Sequence, residues 1–285
     1  MAEPLSSGRA TRDPRRRTPR PVGRGARARR ALALVPVLLV CAFLLLPLVV
    51  VAVSSLNADN NFRFPPSGLS LRWYAEVFGS TQWLDALGYS LRVALLVVPV
   101  VVVLGTLGGY AVGAGTFPGH RALGLLFLSP MAVPGVMVGL ALLYQLQRTG
   151  MVGSAEGLWL AHLVVTFPFC VRVVAVSAAA LDPRLPRAAR SLGASPLRTF
   201  LTITVPLLRP GIVAGAFLAA VISLGEVAVS VLVAGAGEAT VPVRIYSAVQ
   251  VQLEPTVAAV STLLLLVSVV TIAVLDRTVH VSRFL

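Results

Sequence analysis

Glu226 is the side chain whose chemistry stands out, because its carboxyl falls within a long apolar run, 207–234. An ionisable group there is expensive in a membrane and ordinarily faces a wet cavity or the interior of a helix bundle. Ser223 and Ser230 lie within one or two helical turns of it, so on a continuous helix the three would make a polar stripe. A cation could pass along such a stripe. The same carboxyl could instead pair with Arg172, or be protonated and hold helices together, and the sequence leaves these readings open. Arg172 falls toward the end of its own run, where its stem can carry the guanidinium out to the interface.

Other chemistry is missing. All 24 basic residues are arginine, so no P-loop lysine exists to cradle the β- and γ-phosphates of a nucleotide. There is no Gly-x-Ser-x-Gly elbow, no His-Glu-x-x-His and no compact carboxylate pair. No catalytic residue, cofactor or metal site is expected, and the chain is not read as an enzyme. His120, His162 and His280 are far apart and are assigned structural or interfacial roles, since a metal cluster would require unrelated segments to converge. Cys41 and Cys170 both fall in apolar runs and give no disulfide framework.

The elements that must carry Glu226 follow from composition. Hydrophobic residues make up 56%, charged residues 12%, and mean hydropathy is +0.86, values outside the range of soluble domains. Apolar runs that reach the roughly 20 residues needed to cross a bilayer occur at 31–55, 86–113, 122–146, 158–180, 207–234 and 256–276. Backbone groups in lipid must bond internally, and the runs are too long and continuous for barrel strands. The fold class is therefore all-α, a polytopic membrane protein of six transmembrane helices. Its parts are an arginine-rich disordered tail (1–30), a first span (31–55), a loop (56–85), a five-span core (86–277) and a short C-terminus (278–285). Pro99, Pro130, Pro134 and Pro168 each remove a helical donor and predict kinks or packing features. Gly105, Gly108, Gly109 and Gly113 predict close helix contacts.

Arginine placement orients the bundle, because basic residues accumulate in cytoplasmic loops. Ten lie in the tail, between Arg9 and Arg30. Arg121, Arg184, Arg187, Arg190, Arg198, Arg209, Arg277 and Arg283 are assigned to the same side, so both termini are expected in the cytoplasm. The net charge of +13 is read as topology setting and contact with anionic membrane lipid, worth about 1 kcal/mol per basic residue near the surface, rather than nucleic-acid binding. The first apolar run, at about 25 residues, exceeds the h-region of a signal peptide and is read as an uncleaved anchor.

The segment 181–206 is built for a bent surface knuckle. Asp182 can cap a helix start, Pro183 is tolerated in the first turn, and Leu185, Ala188, Ala189 and Leu192 share one side. Arg184, Arg187, Arg190 and Ser191 take the other. Gly193 suits the left-handed position that ends a helix, and Ser195-Pro196 starts a second one. Small alanines let another protein approach closely, although periodicity alone does not separate a docking surface from a helix lying on headgroups.

The spacing of Ala188-Ala189, Gly193 and Ile203-x-Val-Pro206 resembles the cytoplasmic loop of binding-protein-dependent ABC importer permeases. In that family the pattern is Glu-Ala-Ala, three residues, Gly, nine residues, Ile-x-Leu-Pro; here Arg187 replaces the acid and Val205 the leucine. The first change reverses a charge at the expected interface. Gly68 to Tyr74, Tyr89-Ser90-Leu91, Pro130 to Gly135, Ser223-Leu-Gly-Glu226 and Val241 to Tyr246 are similar to the wording of spermidine and putrescine permeases. Permeases for ferric iron, thiamine and aminophosphonates share parts of it. The resemblance implies a type I permease fold and a place in a bacterial plasma membrane. It also implies ATPase coupling through Arg187, Ala188, Ala189, Gly193, Ile203 and Pro206. Implied partners are an ABC ATPase dimer, a second permease (a related chain or an identical one) and an extracytoplasmic solute-binding protein. A polyamine is the implied cargo. Against this stands an ion-coupled secondary transporter with Glu226 and Arg172 as a relay, though no inverted repeat supports it. A membrane protein that uses the loop only for docking is a third reading.

Overall fold

The computed structural model describes residues 24–60, 64–235, 237, 239–251 and 254–279. Two units are distinguished, Met1–Val49 and Val50–Leu285. Among the described residues, the first unit is occupied by residues 24–49 of α1 (Arg24–Ser54), whose Leu34–Ser54 stretch is long and apolar enough to cross a membrane. Residues 24–30, expected in a disordered tail, are instead helical, in keeping with the good helix propensity of arginine and alanine. The rest of that tail and residues 280–285, His280 and Arg283 included, lie outside the described residues.

In the second unit the chain runs through α2 (Arg72–Gly79), α3 (Thr81–Gly113), α4 (His120–Ala132), α5 (Gly135–Arg148) and α6 (Ala155–Ala179). It continues through α7 (Arg184–Ser191), α8 (Pro196–Thr199), a π-helical turn (Phe200–Thr204) and α9 (Val205–Gly225), then α10 (Ser230–Val233), α11 (Val241–Val251) and α12 (Pro255–Val279). The only extended pairing among the described residues is one bridge, Asn57 to Leu69.

The centre is a packed triangle of α3, α6 and α9. Val93, Val97 and Val101 of α3 meet Leu158, Cys170, Val174 and Ala178 of α6, and Leu208 and Ala219 of α9. Glycine makes this approach possible, because lipid tails give apolar faces no drive to associate and close van der Waals contact must supply it. A Cβ on Gly105 would sit 2.6 Å from the Cys170 sulfur, and one on Gly109 2.7 Å from Val174 Cβ.

The start of α3 is closed by a second cluster, in which Trp73 and Val77 of α2 pack with Trp83, Ala86, Val241, Ala259 and Val260. Hydrogen bonds pin it. Trp73 Nε1 donates to the Asn57 carbonyl at 2.7 Å, and the Val241 N–H donates to Ser90 Oγ at 2.8 Å. Arg244 stacks its guanidinium 5.3 Å over the Trp83 ring and donates to Gln82. At the far end of α3, a 33-residue helix about 50 Å long, Tyr110 stacks against Phe200 at 5.3 Å.

Two expected spans are broken. The run 122–146 is divided between α4 and α5, which meet at 102°, because Val133 precedes Pro134 and the proline ring drives that residue out of the helical region; Val133 sits at φ −98°, ψ 135°. The run 207–234 begins earlier, at Pro196, and ends earlier, at Gly225. Glu226 is extended there, at φ −73°, ψ 119°, after a glycine whose helix propensity is poor. Pro99 and Pro168 lie inside α3 and α6, which continue through them. Among the described residues, four unbroken helices are long and apolar enough to cross a membrane, and the bent pair brings the total to as many as five. Pro255–Val270 of α12 is a shorter apolar stretch.

Candidate functional site

Two places carry the residues singled out by the sequence, and they are built in different ways. The first is the knuckle of α7 and α8. Asp182 Oδ1 accepts the Arg184 N–H at 2.9 Å, starting α7 as the sequence predicts. Gly193 ends it at φ +89°, where a side chain would be strained. The N–H groups of Leu192 and Ala194 return to the carbonyls of Ala188 and Ala189, at 3.1 Å each. Ser195 Oγ then accepts the Arg198 N–H at 3.3 Å, with Pro196 in the first turn of α8.

No residue of α7 is buried. Leu185, Ala188, Leu192 and Leu197 all face outward, Leu192 at 89% exposure. Arg184, Arg187, Arg190 and Arg198 are also exposed. An apolar ridge with exposed guanidinium groups on the same short helices, uncovered among the described residues, is a surface complementary to an apolar groove with acidic groups beside it.

Ile203 and Pro206 lie beyond the knuckle, in its connection to the bundle. Pro206 has no N–H to return to the preceding turn, and just upstream the helix widens, the Val205 N–H reaching five residues back to Phe200. Such π turns recur at functional sites. This one was not legible beforehand. Thr199, just before it, and Thr204, its last residue, are buried while Leu201 and Thr202 between them are exposed, so the exposed knuckle is joined to α9 through a neck held at its two ends.

The second place is the break after α9. Ser223, Glu226 and Ser230 do not form a stripe on one helix, because the helix stops between them. Glu226 Oε1 turns back to accept the Val229 N–H at 2.9 Å, serving as an N-terminal cap for the turn that leads into α10. Pairing with Arg172, one of the readings the sequence left open, is not what this contact shows. Ser223 and Ser230 meet instead at His162 of α6, whose imidazole is 1% exposed. Nδ1 lies 2.9 Å from Ser223 Oγ, and Nε2 lies 2.9 Å from Ser230 Oγ. Hydrogen bonds between helices in such bundles average about 0.6 kcal/mol each, so their value here is in fixing position. His162 was read as structural or interfacial, and its pairing with these two serines carried no signal in the sequence.

The two breaks are neighbours. A Cβ on Gly135, at the start of α5, would lie 3.4 Å from Ala228 Cβ, and one on Gly139 would lie 3.2 Å from Val229 Cα. Leu146, Ala161, Val229 and Val233 close a small core beneath them. Irregular backbone at membrane depth is tolerated where it is buried in protein or lines a watery cavity.

A polar cleft of about 480 Å³ lies near the start of α3, lined by Gln82, Asp85, Tyr89, Arg92 and Arg244 among others. Arg92, expected within a span, faces this cleft.

Residues 68–278 match the model of the family described as "Binding-protein-dependent transport system inner membrane component". Among curated relatives, the chain is 30% identical over 242 residues to the putrescine transport system permease protein PotI of Escherichia coli strain K12. That match covers 81% of this chain and 85% of PotI. It is likewise 30% identical over 233 residues to the spermidine/putrescine transport system permease protein PotC of Haemophilus influenzae, covering 80% and 89% of the two chains. In fold it is similar to a solved bacterial ABC transporter involved in the import of the acidic polysaccharide alginate, with a TM-score of 0.71 at 15% identity, over 90% of this chain and 98% of that one.

Proposed function

The chain belongs to the family of binding-protein-dependent transport system inner membrane components, the permeases of ABC importers, and we propose that it works as half of a polyamine pathway driven by a separate ATPase. The knuckle carries this reading. An apolar ridge left exposed among the described residues, joined to α9 through a neck whose end residues Thr199 and Thr204 are buried, can transmit a push from a partner into the bundle. Its exposed arginines, Arg187 among them, fit an ATPase groove with an acidic rim. Both termini face the cytoplasm on this reading, placing the knuckle on the ATPase side.

The adjoining breaks supply the route. Alternating access requires backbone that can rearrange at depth, and two interrupted helices in contact, Gly135 against Ala228, provide it. A second permease, identical or related, completes the wall, and a solute-binding protein delivers cargo to the end bearing the Asp85–Arg92 cleft. Putrescine or spermidine is the cargo class, supported by the transport named for PotI and PotC and by the Glu226 carboxylate, which can receive an ammonium group.

The test is capture. The tagged chain, expressed with its genomic neighbours and extracted in mild detergent, should bring down an ABC ATPase and a permease, and Gly193→Arg should lose the ATPase while keeping the permease. Failure to recover an ATPase after crosslinking intact membranes would overturn the reading.

A further inference from the structure

The imidazole of His162 spans the gap that α9 leaves when it stops. One nitrogen meets Ser223, the last turn before the break, and the other meets Ser230, the first residue of α10. Between those serines, after Leu224 and Gly225 end α9, run Glu226, Val227, Ala228 and Val229, four residues that no helix holds. Neutral imidazole offers one donor and one acceptor on opposite sides of a rigid ring, while a serine hydroxyl can serve as either. The pair of contacts is therefore satisfied in either tautomer. A flexible chain carrying two polar atoms would have to be ordered at entropic cost to do the same.

We propose that His162 is a positioning residue, a two-ended brace that sets the separation of Ser223 and Ser230 and thereby the location of the Glu226 carboxylate beside the α4–α5 break. It touches no cargo. It acts through Glu226, whose side chain is already committed to the Val229 N–H inside the braced loop, so the carboxylate moves when the loop moves. The proposal rests on the reading of the break as part of the route, and the experiment separates the two.

The position of the loop can be read without transport. Cysteines at Gly135 and Ala228 would place Cβ atoms about 3.4 Å apart, close to the roughly 3.5–4.5 Å of a disulfide. The full-length chain with Cys41→Ser, in membranes with its partners, is oxidised with copper phenanthroline and the bridge quantified by peptide mass spectrometry. A pair at Ala58 and Gly68, with Cβ positions 3.3 Å apart beside the Asn57–Leu69 bridge, is the control. The break pair should form in the parent and fall at least five-fold in His162→Leu and in the double variant Ser223→Ala/Ser230→Ala, with the control pair unchanged. His162→Asn keeps an amide where Nδ1 stood and His162→Gln keeps one where Nε2 stood, so each should recover part of the bridge.

Equal bridging in parent, His162→Leu and the double alanine variant would overturn the brace, as would failure of the pair to form in the parent. So would an equal fall of both pairs in the double alanine variant, which decides the matter if His162→Leu does not insert. A functional arm uses radiolabelled putrescine. Maximal uptake per captured complex should fall at least five-fold in His162→Leu, with the concentration for half-maximal uptake unchanged and partial recovery in His162→Gln; loss of uptake with an intact bridge would overturn the proposal. If Glu226→Gln retains both bridge and uptake, the pathway reading of Glu226 fails while the brace stands.

Discussion

The knuckle of α7 and α8 and the break after α9 lie on the same stretch of chain, fewer than 50 residues apart, yet they are specified by opposite means. In the knuckle every determinant is local. Asp182, Gly193 and Ser195 each act on a backbone group within a few residues, and the side chains left over point to solvent. At the break the determinants come from a distance, with His162 reaching Ser223 across 61 residues and Ser230 across 68. A surface that must present itself to another protein can be encoded by its own short sequence. A discontinuity inside a membrane bundle must be held by its neighbours, since water is not there to satisfy it. The comparison predicts that damage at the break spreads into the fold, whereas damage at the knuckle stays where it is made.

The largest effect should come from overfilling the break. Gly139→Leu adds a side chain whose Cβ alone would approach Leu232 Cδ1 to 2.7 Å and the Val229 backbone to 3.2 Å. Overpacking of this kind costs about 1–3 kcal/mol or more. The variant should lose most of its monodisperse peak on size-exclusion chromatography in detergent, and should melt several degrees below the parent. A Gly139→Leu protein with parental thermal stability would show that α10 is free to move off α5, and the contrast would collapse.

Leu192→Asp is the converse. Leu192 is 89% exposed, so replacing it should leave stability within about 0.5 kcal/mol of the parent. Yet it puts a carboxylate on the exposed ridge, and on the proposed docking of that ridge in an acidic ATPase groove, capture should fall at least ten-fold. Equal loss of capture and thermal stability would mean that the knuckle is part of the folded core.

What the sequence made legible divides along the same line. Gly193 as a left-handed helix end and Ser195-Pro196 as a helix start were readable because capping chemistry acts over three or four residues. The runs 86–113 and 158–180 were readable as spans because hydropathy sums over a window, although helices begin before those limits, at Thr81 and Ala155. Val133-Pro134 held the signal for the first break, and treating Pro134 as a mere kink missed the strength of the constraint on the residue before it. The second break had only Gly225 to mark it. Without the break, Ser223, Glu226 and Ser230 looked like a stripe, and their division between a brace and a cap depends on where α6 passes, which no local rule states.

The smallest effect tests the local half of the comparison most finely. Ser195→Ala removes the oxygen that accepts the Arg198 N–H at 3.3 Å, and loss of such a cap costs about 1 kcal/mol. Because Pro196 still presets the first turn and Thr199 remains anchored in the neck, α8 should fray rather than unfold. The expected result is a small rise in amide exchange confined to residues 197–199, a fall in ATPase capture of about two-fold to five-fold, and no change in melting temperature. Ser195→Asp, which restores an acceptor and adds a charge favourable at a helix N-terminus, should recover the exchange protection. It should not fully recover capture if the groove opposite is acidic, because the new carboxylate lies among the arginines that face it. Recovery of both would locate the acidic rim away from Ser195, and recovery of neither would show that the hydroxyl itself, rather than the helix it starts, is what the partner contacts.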